Sequence, residues 1–237
     1  MIKPVLPLLF LLAAPVVATR VAPDPPAAPA ARPERFDKQV RNDFFSGFGG
    51  DVKALERGMA ACEKVLEKEP GHPEALVWHG CGTVFRAGRA FRRGDYSEGT
   101  ALWQKGLDEM DRAVKLAPSD IAVRIPRATC LIPASRNAPA PRQRALLLRA
   151  REDLETVYRV RQPVFSRLSG HSRGELLMGL AEVYKRLGEE EKAKRILDRV
   201  ARDLASTPYA EVAGRWLKPG AAPPAAKFEH SCIGCHG

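Results

Sequence analysis

Apolar residues between Pro33 and Leu217 recur at intervals of three and four positions, and alternation at every second position is almost absent. Intervals of three and four place apolar side chains on one face of an α-helix, whereas alternation is typical of a strand. The chain is therefore predicted to be all-α. The breaks between its helices are marked by glycine and proline at Gly49–Gly50, Pro70–Gly71, Gly94, Pro118, the Pro133–Pro141 stretch, Pro163, Gly170 and Gly188.

The most regular pattern lies between Leu176 and Val200, where Gly188 separates two apolar stripes. The first stripe carries mostly large side chains and the second faces it with smaller ones, so two antiparallel helices can approach closely. The residues of the two stripes are Leu177, Leu180, Ala181 and Tyr184, then Ala193, Leu197 and Val200.

This spacing resembles the tetratricopeptide repeat, in which pairs of antiparallel helices stack on one another. Two further helix pairs resemble it less closely. The interval from Pro70 to Pro118 is longer than a standard repeat of about 34 residues, so either both helices or the turn near Gly94 must be longer. The unit that starts at Asp120 contains Pro126, which is expected to kink or shorten its first helix; its second helix is expected over Arg142–Gln162. The positions that carry these weaker matches are Gly58, Cys62 and Val65, then Ala75, Leu76, Gly80 and Thr83, then Gly106, Met110 and Ala113, then Ala128 and Leu131.

The resemblance covers about residues 51–217 and implies a TPR-like antiparallel helix-pair solenoid of three to four pairs. With a leading helix over 33–48 and a closing helix over 208–217, the expected helical domain is 33–217. In that family such arrays bind proteins or peptides in a groove along one side and rarely catalyse. The resemblance therefore implies a protein or peptide partner, although a fold does not determine a function.

The N-terminal segment is typical of a secretory signal. Residues 1–18 combine Lys3, an apolar stretch and small residues before a cleavage position. Residues 19–32 are rich in proline and alanine without an apolar period, which predicts a linker. The expected location is periplasmic or otherwise exported, and an uncleaved N-terminal anchor is the alternative.

The C-terminal residues carry the most specific motif. After a second linker over 218–229, residues 230–237 contain Cys232-Ile-Gly-Cys235-His236, the C-x-x-C-H signature of c-type haem attachment. The two thiols are expected to form thioethers to one covalent haem c, and the His236 imidazole to bind the iron as an axial ligand. Attachment of haem to this motif outside the cytoplasm agrees with the predicted export.

This arrangement differs from that of an ordinary cytochrome c, whose motif usually lies near the start of a small helical shell. It is similar instead to exported repeat proteins that end in a C-x-x-C-H tail. His171 is the candidate sixth ligand, because Arg167 and Arg173 beside it can pair with haem propionates. An open or water-ligated iron is equally compatible. The other candidates are His72, His79 and His230, and Met59, Met110 and Met178 are expected in the core.

The formal charge of +10 is concentrated in residues 121–173, which hold eleven arginines, no lysine and three acidic residues. This segment indicates either a basic face for an acidic protein, anionic lipid or haem propionates, or ordinary solvated helix surfaces. Contact with a membrane surface thus stays open, whereas nucleic acid is a poor partner for an exported protein. The other cysteines, Cys62, Cys81 and Cys130, are expected as small buried residues, and a disulfide among them is possible without an assigned pairing.

No phosphate loop, nucleophile elbow or H-E-x-x-H motif occurs, so a non-catalytic role is favoured over an enzyme. The sequence predicts an exported TPR-like scaffold with one haem on its tail, for protein binding coupled to electron transfer or haem sensing. The rival interpretation is a haem-free adaptor that assembles periplasmic complexes, and a haem peroxidase is a third. For the tail itself, a redox-active thiol pair, a zinc half-site, an unmodified terminus and the truncation of a longer cytochrome also stay open.

Overall fold

The computed structural model describes residues 35–218 and Gly220, and all the regular structure in this part of the chain is helical. The predicted signal segment 1–18, the linker 19–32 and the motif 230–237 lie outside these residues. Nine α-helices follow one another within the described range: α1 Phe36–Phe48, α2 Val52–Lys68, α3 Pro73–Arg92, α4 Tyr96–Leu116, α5 Ile121–Ala134, α6 Ala140–Arg161, α7 Gly170–Leu187, α8 Glu190–Asp203 and α9 Pro208–Trp216. Short 3-10 helices over Ser135–Asn137 and Gln162–Arg167 follow α5 and α6. The all-α prediction is confirmed, and a solenoid of helix pairs is compatible with this order.

The first helix begins at Phe36, three residues after the predicted start. Arg35 precedes it with extended backbone angles, φ −60° and ψ 135°. The backbone N–H of Asp37 donates a hydrogen bond of 2.7 Å to the carboxylate of Glu74, in the first turn of α3. An acidic side chain at a helix N-terminus satisfies a free N–H group and interacts favourably with the helix dipole. The start of α1 is therefore capped by another helix, which the pattern within α1 could not indicate.

The extra length between Pro70 and Pro118 lies in the helices and not in the turn. α3 has 20 residues and α4 has 21, and only Arg93–Asp95 connect them. The side chain of Asp95 accepts a hydrogen bond from the backbone N–H of Glu98 at 2.9 Å and so caps α4. Gly94 has φ of +82°, a left-handed conformation that favours glycine and allows the tight turn.

α3 and α4 approach closely through two glycines. A Cβ atom added at Gly80 would lie 2.7 Å from the carbonyl oxygen of Gly106, and one added at Gly106 would lie 2.7 Å from the carbonyl oxygen of Gly80. No side chain fits between the two backbones at this point. Gly80 and Gly106 are both among the small residues that carry the resemblance to the repeat.

The unit that the sequence pattern defined best is confirmed by burial. The side chains of both predicted stripes are buried between α7 and α8, and Gly188 ends α7 with φ of +77°. The N–H of Glu189 then donates to the Tyr184 carbonyl oxygen at 2.8 Å, which closes the helix end. All nine described helices contribute to one core cluster, so their apolar faces form a continuous interior.

α5 is a short helix that contains two prolines. It continues through Pro126 and ends after 14 residues, against 20 in α3. Proline lacks the N–H that the helix would use, which restricts helix length. Pro126 does not end the helix, which continues for eight residues beyond it.

Candidate functional site

The motif residues Cys232, Cys235 and His236 lie outside the described residues. The helical body can supply further ligands to a group that the motif holds. α9 ends at Trp216, and the 14-residue step from Lys218 to Cys232 can span up to about 45 Å. α9 itself is nine residues long, or about 13 Å. Every side chain near the start of α9 is thus within covalent reach of the motif.

The start of α9 contacts the start of α7 through a hydrogen-bonded relay. The Tyr209 hydroxyl lies 2.7 Å from Nδ1 of His171 and donates a hydrogen bond of 2.6 Å to Oε1 of Glu175. The rings of Tyr209 and His171 are also adjacent, with centroids 6.1 Å apart. Ser169 caps the N-terminus of α7 and thereby positions the first turn, which carries His171. The sequence indicated His171 but missed both of its relay partners.

The relay determines which nitrogen of His171 can bind a metal. A hydroxyl has a single proton, and Tyr209 gives it to ionised Glu175, so the Tyr209 oxygen accepts from Nδ1–H of His171. In the neutral ring, a proton on Nδ1 leaves the lone pair on Nε2. His171 is exposed, and among the described residues only its Nδ1 has a hydrogen-bond partner. A metal-binding histidine is commonly held in this way, by a partner on its other nitrogen.

Glu175 is the half-buried end of this relay. Burial raises the pKa of its carboxyl, while the hydrogen bond from Tyr209 and the nearby His171 act in the opposite direction. Glu175 lies four residues after His171, and this spacing on one helix face could have indicated the pair. Tyr209 is 38 residues away from His171, and no local pattern predicts that contact.

The two arginines expected near His171 are available for an anion. Arg167 is exposed at the end of the second 3-10 helix, and Arg173 is half-buried in the first turn of α7. Neither forms an ion pair within the described part of the chain, and Nε of Arg173 is buried without a hydrogen-bond partner there. Arginine binds carboxylates well, so both side chains fit the role of holding propionate groups.

The other described histidines are already engaged. Nδ1 of His72 accepts the backbone N–H of Ala75 at 3.2 Å and caps α3. His79 is buried, with Nδ1 2.7 Å from Glu109 and Nε2 3.5 Å from Glu63. Each would have to lose a local interaction before it could bind iron. His230 is outside the described residues.

The methionines are placed as expected. Met59 and Met110 are buried within the core cluster. Met178 is partly buried and packs against that cluster. Met59 and Met110 therefore do not present their sulfurs as ligands at the surface.

Several arginines of the predicted basic face form ion pairs with carboxylates of other elements of the protein. Arg124 and Arg127 are buried and share the fully buried carboxylate of Asp153, which Nη1 of Arg124 and Nε of Arg127 each contact at 2.7 Å. Further pairs are Arg136 with Glu182, Arg149 with Asp111 and Arg151 with Glu189. The excess charge is thus partly structural, joining α6 to α5, to α4 and to the turn between α7 and α8. The exposed arginines on α6 are Arg142, Arg144 and Arg159.

Trp78 and Trp216 are buried and pack in the interior. Trp103 is partly buried and lines a small cleft with Leu107 and Arg142. The cleft holds about 160 Å³, below the roughly 300–1,000 Å³ of small-molecule sites. Its size therefore does not favour a bound substrate.

Two other kinds of site have no candidate among the described residues. No group of three or more His, Cys, Asp or Glu side chains there is arranged to hold a metal ion. No helix there is both long and apolar enough to cross a membrane. The chain matches no protein-family model, no curated protein and no solved structure.

Proposed function

We propose that the chain is an exported helix-pair scaffold that carries one covalent c-type haem on its C-terminal tail. Cys232 and Cys235 supply the thioether sulfurs, and His236 is one axial ligand. When bound, such a group supplies one-electron transfer, with a potential set by its axial ligands and its burial. The sequence Cys232-x-x-Cys235-His236 after a secretory-type leader is the observation that carries the proposal.

The geometry at the start of α7 supports a second axial ligand from the body of the protein. His171 is exposed and its Nε2 has no hydrogen-bond partner among the described residues, while Tyr209 and Glu175 hold the ring in the tautomer that leaves the Nε2 lone pair for a metal. Arg167 and Arg173 lie beside it with charges not neutralised by a described carboxylate. If the tail carries haem, His171 would bind its iron, and Arg167 and Arg173 would bind its carboxylates.

The helical body has the second part of the proposed role. Stacked helix pairs of this kind leave a groove that suits a protein or peptide partner. The haem would then lie close to the partner, so that binding is coupled to electron transfer or to haem sensing. The same body without haem would be an adaptor for periplasmic complexes, which is the alternative function.

Attachment is tested by expressing the full chain in a bacterial host with haem-ligation machinery. We expect a red protein with a Soret band and a mass increase of about 616 Da, equal to one haem. Cys235→Ala should weaken the attachment, because only Cys232 is then left to form a thioether, whereas Cys62→Ala, which changes a cysteine outside the motif, should leave it intact. A colourless protein of unmodified mass from that host would refute the haem and favour the adaptor.

Ligation by His171 is tested separately on the haem-carrying protein. His171→Ala should convert a six-coordinate, low-spin absorption spectrum into a high-spin one and leave the mass unchanged. His72→Ala is the matched control, because His72 has its Nδ1 occupied by the cap of α3. Identical spectra in wild type and His171→Ala would show that another group, or water, is the sixth ligand.

A further inference from the structure

Cys81 lies inside the core, with its sulfur directed at α5. It is 1% exposed, in the middle of α3. Its Sγ is 3.5 Å from the carbonyl oxygen of Pro126 and 3.6 Å from Sδ of Met110. The thiol therefore touches the backbone of α5 at the turn that contains Pro126.

Cys130 follows Pro126 by four residues, one helical turn further along α5. A side chain on an α-helix points back toward the preceding turn, so the Cys130 thiol is directed to the turn that Cys81 contacts. Burial is the main cause that raises the pKa of the Cys81 thiol, and hydrogen bonding with the Cys130 thiol is the next. Cys81 and Cys130, both free thiols in this structure, therefore lie at the same turn of α5, across the interface between α3 and α5.

The remaining thiol of the helical body differs from this pair. Cys62 lies on α2 and is fully buried. Burial raises the pKa of its thiol, and the carboxylates of Glu63 and Glu109 raise it further. Cys130 is partly exposed and Cys62 is not, so an external oxidant reaches Cys130 first and Cys62 is expected to stay reduced.

We propose that Cys81 and Cys130 form a disulfide that joins α3 to α5 when the chain enters an oxidising compartment. The inference rests on the export that is part of the proposed function, and not on the haem. The bond would close a loop of about 50 residues. It would also remove two thiols that could otherwise exchange with Cys232 and Cys235, which must be reduced for haem attachment.

The reaction needs a disulfide oxidant, such as a thiol–disulfide oxidoreductase of the export compartment. Cys130 is partly exposed, so its thiolate attacks one oxidant sulfur, breaks the oxidant's S–S bond and forms a mixed disulfide. The Cys81 thiolate then attacks Sγ of Cys130 and displaces the oxidant sulfur that is bonded to it in the mixed disulfide. The two electrons and the two protons of the cysteines end on the oxidant, which leaves as a dithiol.

The pairing is tested on the full chain isolated from the periplasm of an expression host. The protein is alkylated in denaturant without reductant and then cleaved for peptide mapping. We expect a Cys81–Cys130 cross-linked peptide, lighter than the two free peptides by two hydrogen atoms, and an alkylated Cys62. Reduction should lower the melting temperature by roughly 5–15 °C, since the cross-link restricts the unfolded chain.

Two variants control the assignment. Cys130→Ala should remove the cross-link and leave Cys81 open to alkylation, whereas Cys62→Ala should leave the cross-link intact. Alkylation of both Cys81 and Cys130 in the exported wild type would overturn the proposal, as would a bridge that includes Cys62 or a tail cysteine.

A second measurement separates this inference from the proposed function. Reduced full-length protein, purified in any compartment, is exposed to oxidised glutathione and mapped in the same way. We expect the same Cys81–Cys130 bridge whether or not the chain is exported or carries haem. If glutathione leaves both thiols free or as separate mixed disulfides, the pairing is wrong even where the haem assay succeeds.

Discussion

Glu175 controls the relay at the start of α7 because it decides the direction of two hydrogen bonds. When Glu175 is ionised, Tyr209 donates to it and His171 keeps its proton on Nδ1. When Glu175 takes up a proton, it can donate to the tyrosine oxygen, and Tyr209 can then donate to Nδ1 of His171. The ring proton then moves to Nε2, and the nitrogen that faces solvent loses its lone pair. Acid conditions should therefore weaken binding at His171.

The same carboxyl should make stability depend on pH. Its pKa is raised by burial in the folded state, so between the ordinary glutamate value and the raised value the folded protein binds more protons than the unfolded chain. The stabilisation is complete below the ordinary value and is lost as pH rises through the raised pKa. Glu175→Gln keeps an oxygen that accepts from Tyr209 but removes this titration.

The check is urea unfolding of both proteins from about pH 4 to pH 7. We expect the free energy of unfolding of wild type, relative to Glu175→Gln, to fall with increasing pH and then level off. Glu211→Gln on α9 removes an exposed carboxylate that pairs with Arg215 at the surface, and this variant should run nearly parallel to wild type. A difference that rises with pH would contradict the raised pKa.

The burial of a residue could be predicted where it follows from the apolar pattern of a single helix. It could not be predicted where it depends on a partner from a second helix. Leu177, Leu180 and Tyr184 follow a single stripe, and their burial is confirmed. Arg124 and Arg127 belong to a segment that looks like a basic surface, but a carboxylate from α6 allows both to be buried. Such burial needs a partner more than 25 positions away, and local spacing does not encode it.

Helix pairs in this protein depend on small residues where backbones meet. Gly80 and Gly106 let α3 and α4 come into backbone contact, and a methyl group on either would lie 2.7 Å from the opposite carbonyl oxygen. Backbone atoms of two long helices cannot move apart locally without changing the packing along both. Small residues in the repeat pattern therefore mark places where two helix backbones touch, and not only turns between helices.

Gly80→Ala should thus destabilise the protein by about 1–3 kcal/mol through overpacking, despite the higher helix propensity of alanine. Gly88→Ala on the same helix is the matched control. An added Cβ there meets only the end of the Arg92 side chain at 3.6 Å, so stability should rise by roughly 0.5–1 kcal/mol. Chemical denaturation of the three proteins measures both effects, and equal stability of the two variants would exclude the close contact.

At the level of elements, the sequence predicted helix order better than helix ends and lengths. Asp95 and Asp120 mark helix starts because their side chains cap the chain that follows them. The start of α1 was predicted three residues early because Glu74 of α3 sets it. The sequence left open how the unit from Pro70 to Pro118 uses its extra residues, since longer helices and a longer turn have the same spacing of apolar positions.

At the scale of the whole molecule, the composition of the core indicates whether the proposed haem would be part of the protein interior or attached outside it. In a small cytochrome c the helices surround the haem, which forms part of the interior. Here the core cluster is built from side chains between Phe36 and Trp216, and it includes members from each described helix. The helical body thus has an interior that does not depend on the motif residues Cys232 and Cys235.

The double variant Cys232→Ala/Cys235→Ala should therefore fold without haem. We expect the helix content of the haem-carrying protein by circular dichroism, and a single cooperative thermal transition. Any decrease in melting temperature should come from the lost bond to His171 and should vanish when both proteins also carry His171→Ala. For comparison, Leu177→Ala removes a fully buried side chain of α7 and should cost about 2–5 kcal/mol in either protein. A double variant that melts without cooperativity, or loses its helices, would place the haem inside the core and make the tail part of the fold.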